Sequence, residues 1–424
     1  MTREIVAAPP AMTPPSAAIN ADRLRARLLE LGQIGRTAED GVTRLSYRPE
    51  HAAAARLTAR WMCEAGAEVA VDAWGNLFGV VPGTGSALAP IAAGSHLDTV
   101  PNGGIFDGAL GVVAAVEAAA TLREMRIALR RSLLLLAFAE EEGVSFGLGC
   151  LGSRGVVGRA PALDSLTDRG GRSAADLIGE FAQGLPRGVM PLPRAGYLEL
   201  HIEQGPILDG QGVRLAVVDA IVGIARMSFV YRGEANHAGT TPMAARRDAL
   251  WGAADLVARV REMAHATAGR AVATAGQCIV APGAANVIPG RAEVTVEARS
   301  ADGRLLDALS AEIAAAAREC AGRYGLEVEH RHWWSEPPVP LDAPTRAEVA
   351  SAAADLDWPA VTLSSWAGHD AKVLAAMVPT GMIFVPSIAG VSHSPREKTA
   401  WDDAARGAQL LCRALQRLDF RDGG

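Results

Sequence analysis

The stretch GSHLDTVPNGGIFDGA, Gly94–Ala109, decides the reading of this chain. It carries His96, Asp98 and Asp107, three side chains of metal-ligand type, around the turn signal Pro101-Asn102-Gly103-Gly104. The apolar run Pro90–Gly94 before it reads as a buried strand. ALGVVAAVEAAATL (Ala109–Leu122) after it reads as a buried helix. The motif thus joins a strand C-terminus to a helix N-terminus, where open α/β sheets hold their sites.

Two further stretches have the same build. SLLLLAFAEEEG, Ser132–Gly143, is a fully apolar run ending in Glu140, Glu141 and Glu142. Such a run predicts a central parallel strand whose polar end is the functional end. GYLELHIEQGPILDG, Gly196–Gly210, alternates, with Leu198 and Leu200 on one face and Glu199, His201 and Glu203 on the other. Upstream, DRLRARLLELGQIG predicts a helix capped by Asp22, and RPEHAAAARLTARWMCEAG a second helix ending at Gly66. AEVAVDAWGNLFGVVPG predicts a hairpin turning at Trp74-Gly75-Asn76. Residues 150–195 read as surface helices and loops.

Near Val217 the texture changes. ARMSFVYRGEANHAGTTP is a strand and loop, RRDALWGAADLVARVREMA an amphipathic helix, and ATAGQCIVAPGAANVIPGRAEVTVEARS two strands with a Pro-Gly turn. DGRLLDALSAEIAAAAREC and LEVEHRHWW add a helix and a strand. The order βαββαβ is a self-contained unit. The chain therefore predicts an α/β fold in two domains. One comprises residues 1–216 plus 337–424, with a central mixed sheet flanked by helices. The other is an inserted α+β domain at 217–336, followed by the linker Ser335–Pro344. The strand PTGMIFVPS, the loop VSHSP with His393 and the helix TAWDDAARGAQLLCRALQRL close the chain.

A length of 424 residues fits two cores better than one. With 49% hydrophobic residues, 21% charged residues and a net charge of -6, the chain gives no reason to expect nucleic acid or an anionic membrane surface. No apolar run is long enough to span a membrane. The N-terminal MTREIVAAPPAMTPPSAAIN lacks a signal-peptide pattern and reads as a Pro/Ala-rich leader. Cys63, Cys150, Cys278, Cys320 and Cys412 are odd in number and unpaired in spacing, which suits reduced thiols in a cytoplasm. Lys372 and Lys398 are the only lysines among 41 basic residues, so Schiff-base chemistry is disfavoured.

Acidic and histidine side chains collect at the expected strand ends: His96, Asp107, Glu141, Glu142, His201 and His393. Two metals need a shared carboxylate with imidazole and carboxylate caps. This set supplies three imidazoles, a bridging Asp, a terminal Glu and one further Glu as a base. Asp98, two residues after His96, is placed to hold its imidazole through the other ring nitrogen. The GxGxxG match Gly147–Gly152 is not a dinucleotide fingerprint, because EEEGVSF separates it from the strand. Neither a phosphate loop nor a GxSxG elbow is present.

These motifs, with YLELHIEQGP, HAGTTPM, ANVIPG, AGHDA and PTGMIFVPS..GVSHSP, resemble the hydantoinase/carbamoylase family of metal-dependent amidases. That group spans N-carbamoyl-L-amino-acid hydrolases, allantoate amidohydrolases and β-ureidopropionases. It lies within the dinuclear-metal M20-type hydrolases, whose catalytic domain is aminopeptidase-like. The resemblance runs from about residue 25 to 415, in motif order. It implies two divalent metals (Zn, Mn, Co or Ni), one held by His96, Asp107 and His201, the other by Asp107, Glu142 and His393. Glu141 would be the general base and would protonate the leaving nitrogen. The inserted domain would be a lid and dimerisation domain, and the protein a homodimer. His237 would polarise the scissile carbonyl in the neighbouring subunit. Asn286 and Arg299 would bind the substrate carboxylate, with Gln204 lining the pocket. The implied reaction is hydrolysis of an N-carbamoyl-L-amino acid to amino acid, carbon dioxide and ammonia. Allantoate, N-carbamoyl-β-alanine, an acylated amino acid or a dipeptide are the alternative substrates, and a non-catalytic metal-binding scaffold is the remaining reading. Two departures stand out: Trp366 occupies a position usually Gly, and around Arg299 the chain reads VEARS, where the family more often has an acid two before Arg and His after it.

Overall fold

In the computed structural model, residues 17–85 and 87–421 are described, so the expected leader lies outside them up to residue 16. The strands, in chain order, are β1 (Glu68–Val71), β2 (Leu77–Val81), β3 (Ile91–His96), β4 (Leu133–Phe138), β5 (Gly196–Ile202), β6 (Ala216–Ile221), β7 (Gly223–Arg232), β8 (Ala271–Ala281), β9 (Arg291–Ser300), β10 (Glu327–Glu336), β11 (Val339–Pro340), β12 (Val361–Ser365) and β13 (Thr380–Val385). The larger sheet runs β1-β2-β4-β3-β5-β13-β6-β11, with β12 beside β6. Its centre, β4-β3-β5-β13, is parallel, and every residue of these four strands is buried. The apolar LLLLAF of β4 follows from that two-sided cover. The flanking pairs β1–β2, β2–β4 and β13–β6 are antiparallel.

The functional consequence is one of polarity. His96 is the last residue of β3, Glu140–Glu142 follow the end of β4, His201 is the penultimate residue of β5, and His393 lies in the loop after β13. All four strands point the same way, so these side chains emerge along one edge.

Helix α3 (Ala109–Glu124) starts two residues after Asp107 and is buried from Ala109 to Leu122. Ala and Val dominate it because close approach to β3 and β5 leaves little room: a Cβ on Gly111 would lie 2.4 Å from the Leu200 carbonyl oxygen. Helix α1 (Ala21–Leu31) packs on α3 through a charged contact. Glu117, fully buried in α3, accepts from Arg23 at 2.7 and 2.8 Å and from the Asn20 backbone at 2.9 Å. The cap of α1 is Asn20, which accepts from Arg23 N, rather than the expected Asp22. Asp22 instead places negative charge in the first turn, where the helix dipole favours it. Helix α2 (Pro49–Glu64) ends as expected, with Gly66 at a φ of 95° just beyond it.

The chain forms two compact units. One takes the chain up to Val218, Leu341–Leu363 and the chain from His369 on; the other takes Asp219–Pro340 and Ser364–Gly368. The second unit has an antiparallel sheet, β10-β7-β9-β8, with helices Ala249–Ala266 and Gly303–Arg323. Strict alternation of burial along β7 and β9 puts Met227, Phe229, Tyr231, Val294 and Val296 under those helices. Its element order is βαββαβ.

Replacing Glu117 by Ala leaves Arg23 and the Asn20 amide without their buried acceptor. The expected loss is about 3 kcal/mol, the scale for breaking one partner of a buried pair. Urea unfolding monitored by circular dichroism measures it, and an unchanged midpoint would refute the role.

Candidate metal centre

Asp107 is the meeting point of the edge. Its Oδ1 lies 3.1 Å from His201 Nε2 and 3.5 Å from His96 Nε2. Its Oδ2 lies 3.2 Å from His393 Nε2, which is in turn 3.4 Å from Glu142 Oε2. Two groups result, His96–Asp107–His201 and Asp107–Glu142–His393, each with ligand atoms within 4.8 Å of one another. They share the Asp107 carboxylate.

The backbone fixes these rings. His96 Nδ1 is 2.9 Å from the Asp98 carbonyl, and His201 Nδ1 is 2.9 Å from the Ile202 carbonyl. A carbonyl only accepts, so each Nδ1 carries hydrogen and each Nε2 faces Asp107. The Asp98 carboxylate, with Oδ1 3.7 Å from His96 Nδ1, stands near the ring as expected but also has a second task. Its oxygens accept from the backbone N–H of Glu141 and Glu142 at 3.2 and 3.1 Å, pinning the loop that bears both glutamates. Glycine is required at 108, where φ is 63° and a Cβ would sit 2.4 Å from the His96 ring.

The donor set fits divalent metal. Asp107 Oδ1 and Glu142 Oε1 are buried without a hydrogen-bond partner, and the surrounding donors are carboxylate and imidazole with no thiolate. Orphaned buried acceptors beside imidazole nitrogens suit a cation that accepts lone pairs from all of them. A third group, Glu199–His201–His369, lies behind the first. There the Glu199 carboxylate accepts from Ser95 Oγ, Tyr197 OH and Ala371 N, which ties β5 to its neighbours.

Glu141 stands beside the first group, with Oε2 3.9 Å from His96 Nε2 and Oε1 accepting from Cys150 Sγ at 3.4 Å. Gln204, at a φ of 59°, donates from Nε2 to Asp107 Oδ2 at 2.8 Å. Glu203, expected on the same face, instead accepts from Ile207 N and Leu208 N.

His237, Asn286 and Arg299 belong to the second unit. His237 and Val287 form an antiparallel bridge, and Ala238 N donates to the Asn286 carbonyl at 3.0 Å, so His237 and Asn286 are neighbours. His237 Nδ1 accepts from Gly239 N and Thr240 N, which leaves Nε2–H as an exposed donor. Arg299 lies at the other end of β9, roughly 25–30 Å along the strand from the turn after Asn286. Its Nε donates to Glu297 Oε1 at 2.8 Å and its Nη1 to the Trp366 carbonyl at 2.7 Å. Trp366 thus fastens Arg299 by its backbone, whatever its indole does.

The family model for peptidase family M20/M25/M40 matches residues 92–417. The chain belongs to that family. It is 39% identical over 408 residues to the N-carbamoyl-L-amino-acid amidohydrolase of Paenarthrobacter aurescens, covering 94% of this chain and 98% of that one. It is 34% identical to the allantoate amidohydrolase of Escherichia coli (strain K12), covering 92% and 96%. The crystal structure of a hydantoinase/carbamoylase family amidase from Burkholderia multivorans superposes with a TM-score of 0.90 at 33% identity, covering 96% and 100%. The expected family and fold class are both correct.

Sequence reasoning missed Glu397 in this M20 site and gave Glu140 no role. Glu397 is buried, and its carboxylate accepts from Phe106 N, Asp107 N and Ser392 Oγ. Glu140, buried at a φ of 56°, accepts from Ser145 N and Phe146 N and shapes the glutamate loop. Glu397 does not stand out in sequence, since an acid in a loop ordinarily faces water, and Glu140 stands out only as the first of three glutamates, with no role of its own.

Charge balance follows from burial and proximity. Burial alone would raise the Asp107 pKa, but the imidazoles of His201, His393 and His96 packed around its carboxylate hold it well below the ordinary value. Asp107 raises His393 to about 9. Burial, then the Asp107 charge, raises Glu142 to about 7. Burial also lifts Glu141 well above 4.5, reinforced by Glu142, Asp370 and Asp98 against the opposing charge of His96.

Without metal, the protein gains stability from protonated His393 fully below pH 6.5 and loses it as pH rises through about 9. The raised Glu142 adds a loss as pH rises from 4.5 through about 7. Metal takes the deprotonated ligands, so uptake at pH 7 should release protons and tighten as pH rises. Calorimetry in buffers of different ionisation enthalpy counts those protons; a net release of zero would refute the assignment.

Proposed function

We propose that the protein is a two-metal amidohydrolase that cleaves the carbamoyl C–N bond of an N-carbamoyl-L-amino acid. The observation that carries this is the shared Asp107 carboxylate joining His96–Asp107–His201 to Asp107–Glu142–His393, with Glu141 alongside. The relatives named N-carbamoyl-L-amino-acid amidohydrolase point to the substrate class. Allantoate is the second reading, favoured by the allantoate amidohydrolase relatives.

When bound at these groups, two divalent ions (Zn, Mn, Co or Ni) would polarise the ureido carbonyl and acidify water. The chain's own residues supply the rest. Glu141 takes the proton from the attacking water and passes it to the departing nitrogen. Its raised proton affinity matches a base that must also act as an acid near neutral pH. Arg299 has five N–H donors, so those not committed to Glu297 and Trp366 remain for a substrate carboxylate. His237 Nε2–H is a donor suited to a developing oxyanion.

The separation of His237 and Asn286 from Arg299 along β9 supports a homodimer. One chain cannot bring both ends of β9 to one small substrate, whereas a second copy can supply His237 and Asn286 to the other's Arg299. The five cysteines are free, which supports a cytoplasmic setting, and among the described residues no helix is long and apolar enough to cross a membrane.

Ammonia release after metal readdition tests the reaction, with N-carbamoyl-L-amino acids, their D-forms, allantoate, N-carbamoyl-β-alanine and an N-acetyl amino acid as substrates. Metal-dependent ammonia from an N-carbamoyl-L-amino acid is expected. Cleavage of the acetyl compound alone would move the protein to an acylase. Glu141→Gln should abolish turnover while metal content persists.

Arg299→Ala and His237→Ala should each be inactive alone. Co-expressed, they should recover roughly a quarter of wild-type activity, because each hybrid dimer has one intact site. No recovery would remove His237 from the neighbouring site.

A further inference from the structure

We infer that Glu397 is a positioning residue that locks the bridging carboxylate Asp107 and the His393 loop into one body, so that the two metal positions fill as a pair. The inference rests on the two-metal reading and goes beyond it to how the site is assembled.

Glu397 is 4% exposed. Its Oε1 accepts from the backbone N–H of Phe106 at 3.0 Å and of Asp107 at 3.1 Å. Its Oε2 is 2.9 Å from Ser392 Oγ, and the same hydroxyl is 3.2 Å from Asp107 Oδ2. Ser392 precedes His393. One carboxylate therefore grips the peptide that carries the shared ligand and, through one hydroxyl, the loop that carries a ligand of the second group only. Ser392 and Asp107 lie 285 residues apart in sequence.

The approach is built in. A Cβ on Gly104 would lie 2.1 Å from Glu397 Oε1, so only glycine admits the carboxylate to those two N–H groups. Glu397 makes no ion pair among the described residues. A buried carboxylate without a cation is a poor device for stability alone. It is a good device for register, because two N–H bonds to consecutive peptides fix both position and orientation of the Asp107 backbone. The His96 and His201 rings are held by their own carbonyl contacts and do not depend on Glu397.

Three variants separate this role from plain folding. Glu397→Gln keeps an oxygen for the two N–H groups and should bind both metal equivalents nearly as wild type does. Glu397→Ala should keep the first equivalent and weaken the second about tenfold or more, the scale for losing a support of a ligand. Ser392→Ala should weaken the second equivalent alone.

The probe is Co(II) added to metal-stripped protein, followed by calorimetry and visible absorption. Wild type should saturate at two equivalents in one phase, whereas Glu397→Ala and Ser392→Ala should show two separate phases. One-phase uptake of two equivalents by both variants, at wild-type affinity, would overturn the inference. If Glu397→Ala fails to fold by circular dichroism, Ser392→Ala decides it. A wild-type endpoint of one equivalent would overturn the two-metal reading itself, and this inference with it.

Discussion

The site depends on one carboxylate shared by two groups of candidate metal ligands. Asp107 reaches imidazoles from β3 and β5 with one oxygen and the His393 loop with the other. That arrangement needs four parallel strands ending along one edge, because only then do ligands from distant parts of the chain arrive together. It also needs a tight turn before α3, which Gly104 and Gly108 permit by having no Cβ. The positive end of α3 lies directly behind the carboxylate, so the fold itself favours negative charge there.

Around this carboxylate the protein spends many buried polar groups. Asp98, Glu140, Glu397 and Glu199 each hold backbone N–H groups rather than arginines. Such contacts fix loops at defined distances from the strand ends. They also leave the region rich in negative charge, which adds to burial in raising Glu141 and Glu142 above ordinary glutamates and favours a cationic ligand.

The sequence made the architecture legible where physics is local. Apolar runs ending in histidine or acids foretold β3 and β4, and alternation foretold β5. The positions of His96, Asp107, Glu142, His201 and His393 at strand ends followed from the same pattern. What was not legible is tertiary. Asp98 has the right spacing to hold His96 and its carboxylate lies 3.7 Å from that ring, but the closer contact is from its backbone carbonyl, and the hydrogen bonds of its carboxylate to Glu141 N and Glu142 N appear only on folding. Glu397 reads as one more charge in a polar loop, and only folding reveals the two amides it meets. Asn20 rather than Asp22 caps α1, a boundary difference of the kind that side-chain reach decides.

The length of β9 has a consequence for how the protein works in dilute solution. If His237 and Asn286 serve a site whose Arg299 lies on another chain, catalysis becomes a property of the associated pair. Each chain can be correctly folded and fully metallated and still own only part of a pocket. Specific activity would then fall with protein concentration once subunits separate, and substrate that spans the two chains would hold them together.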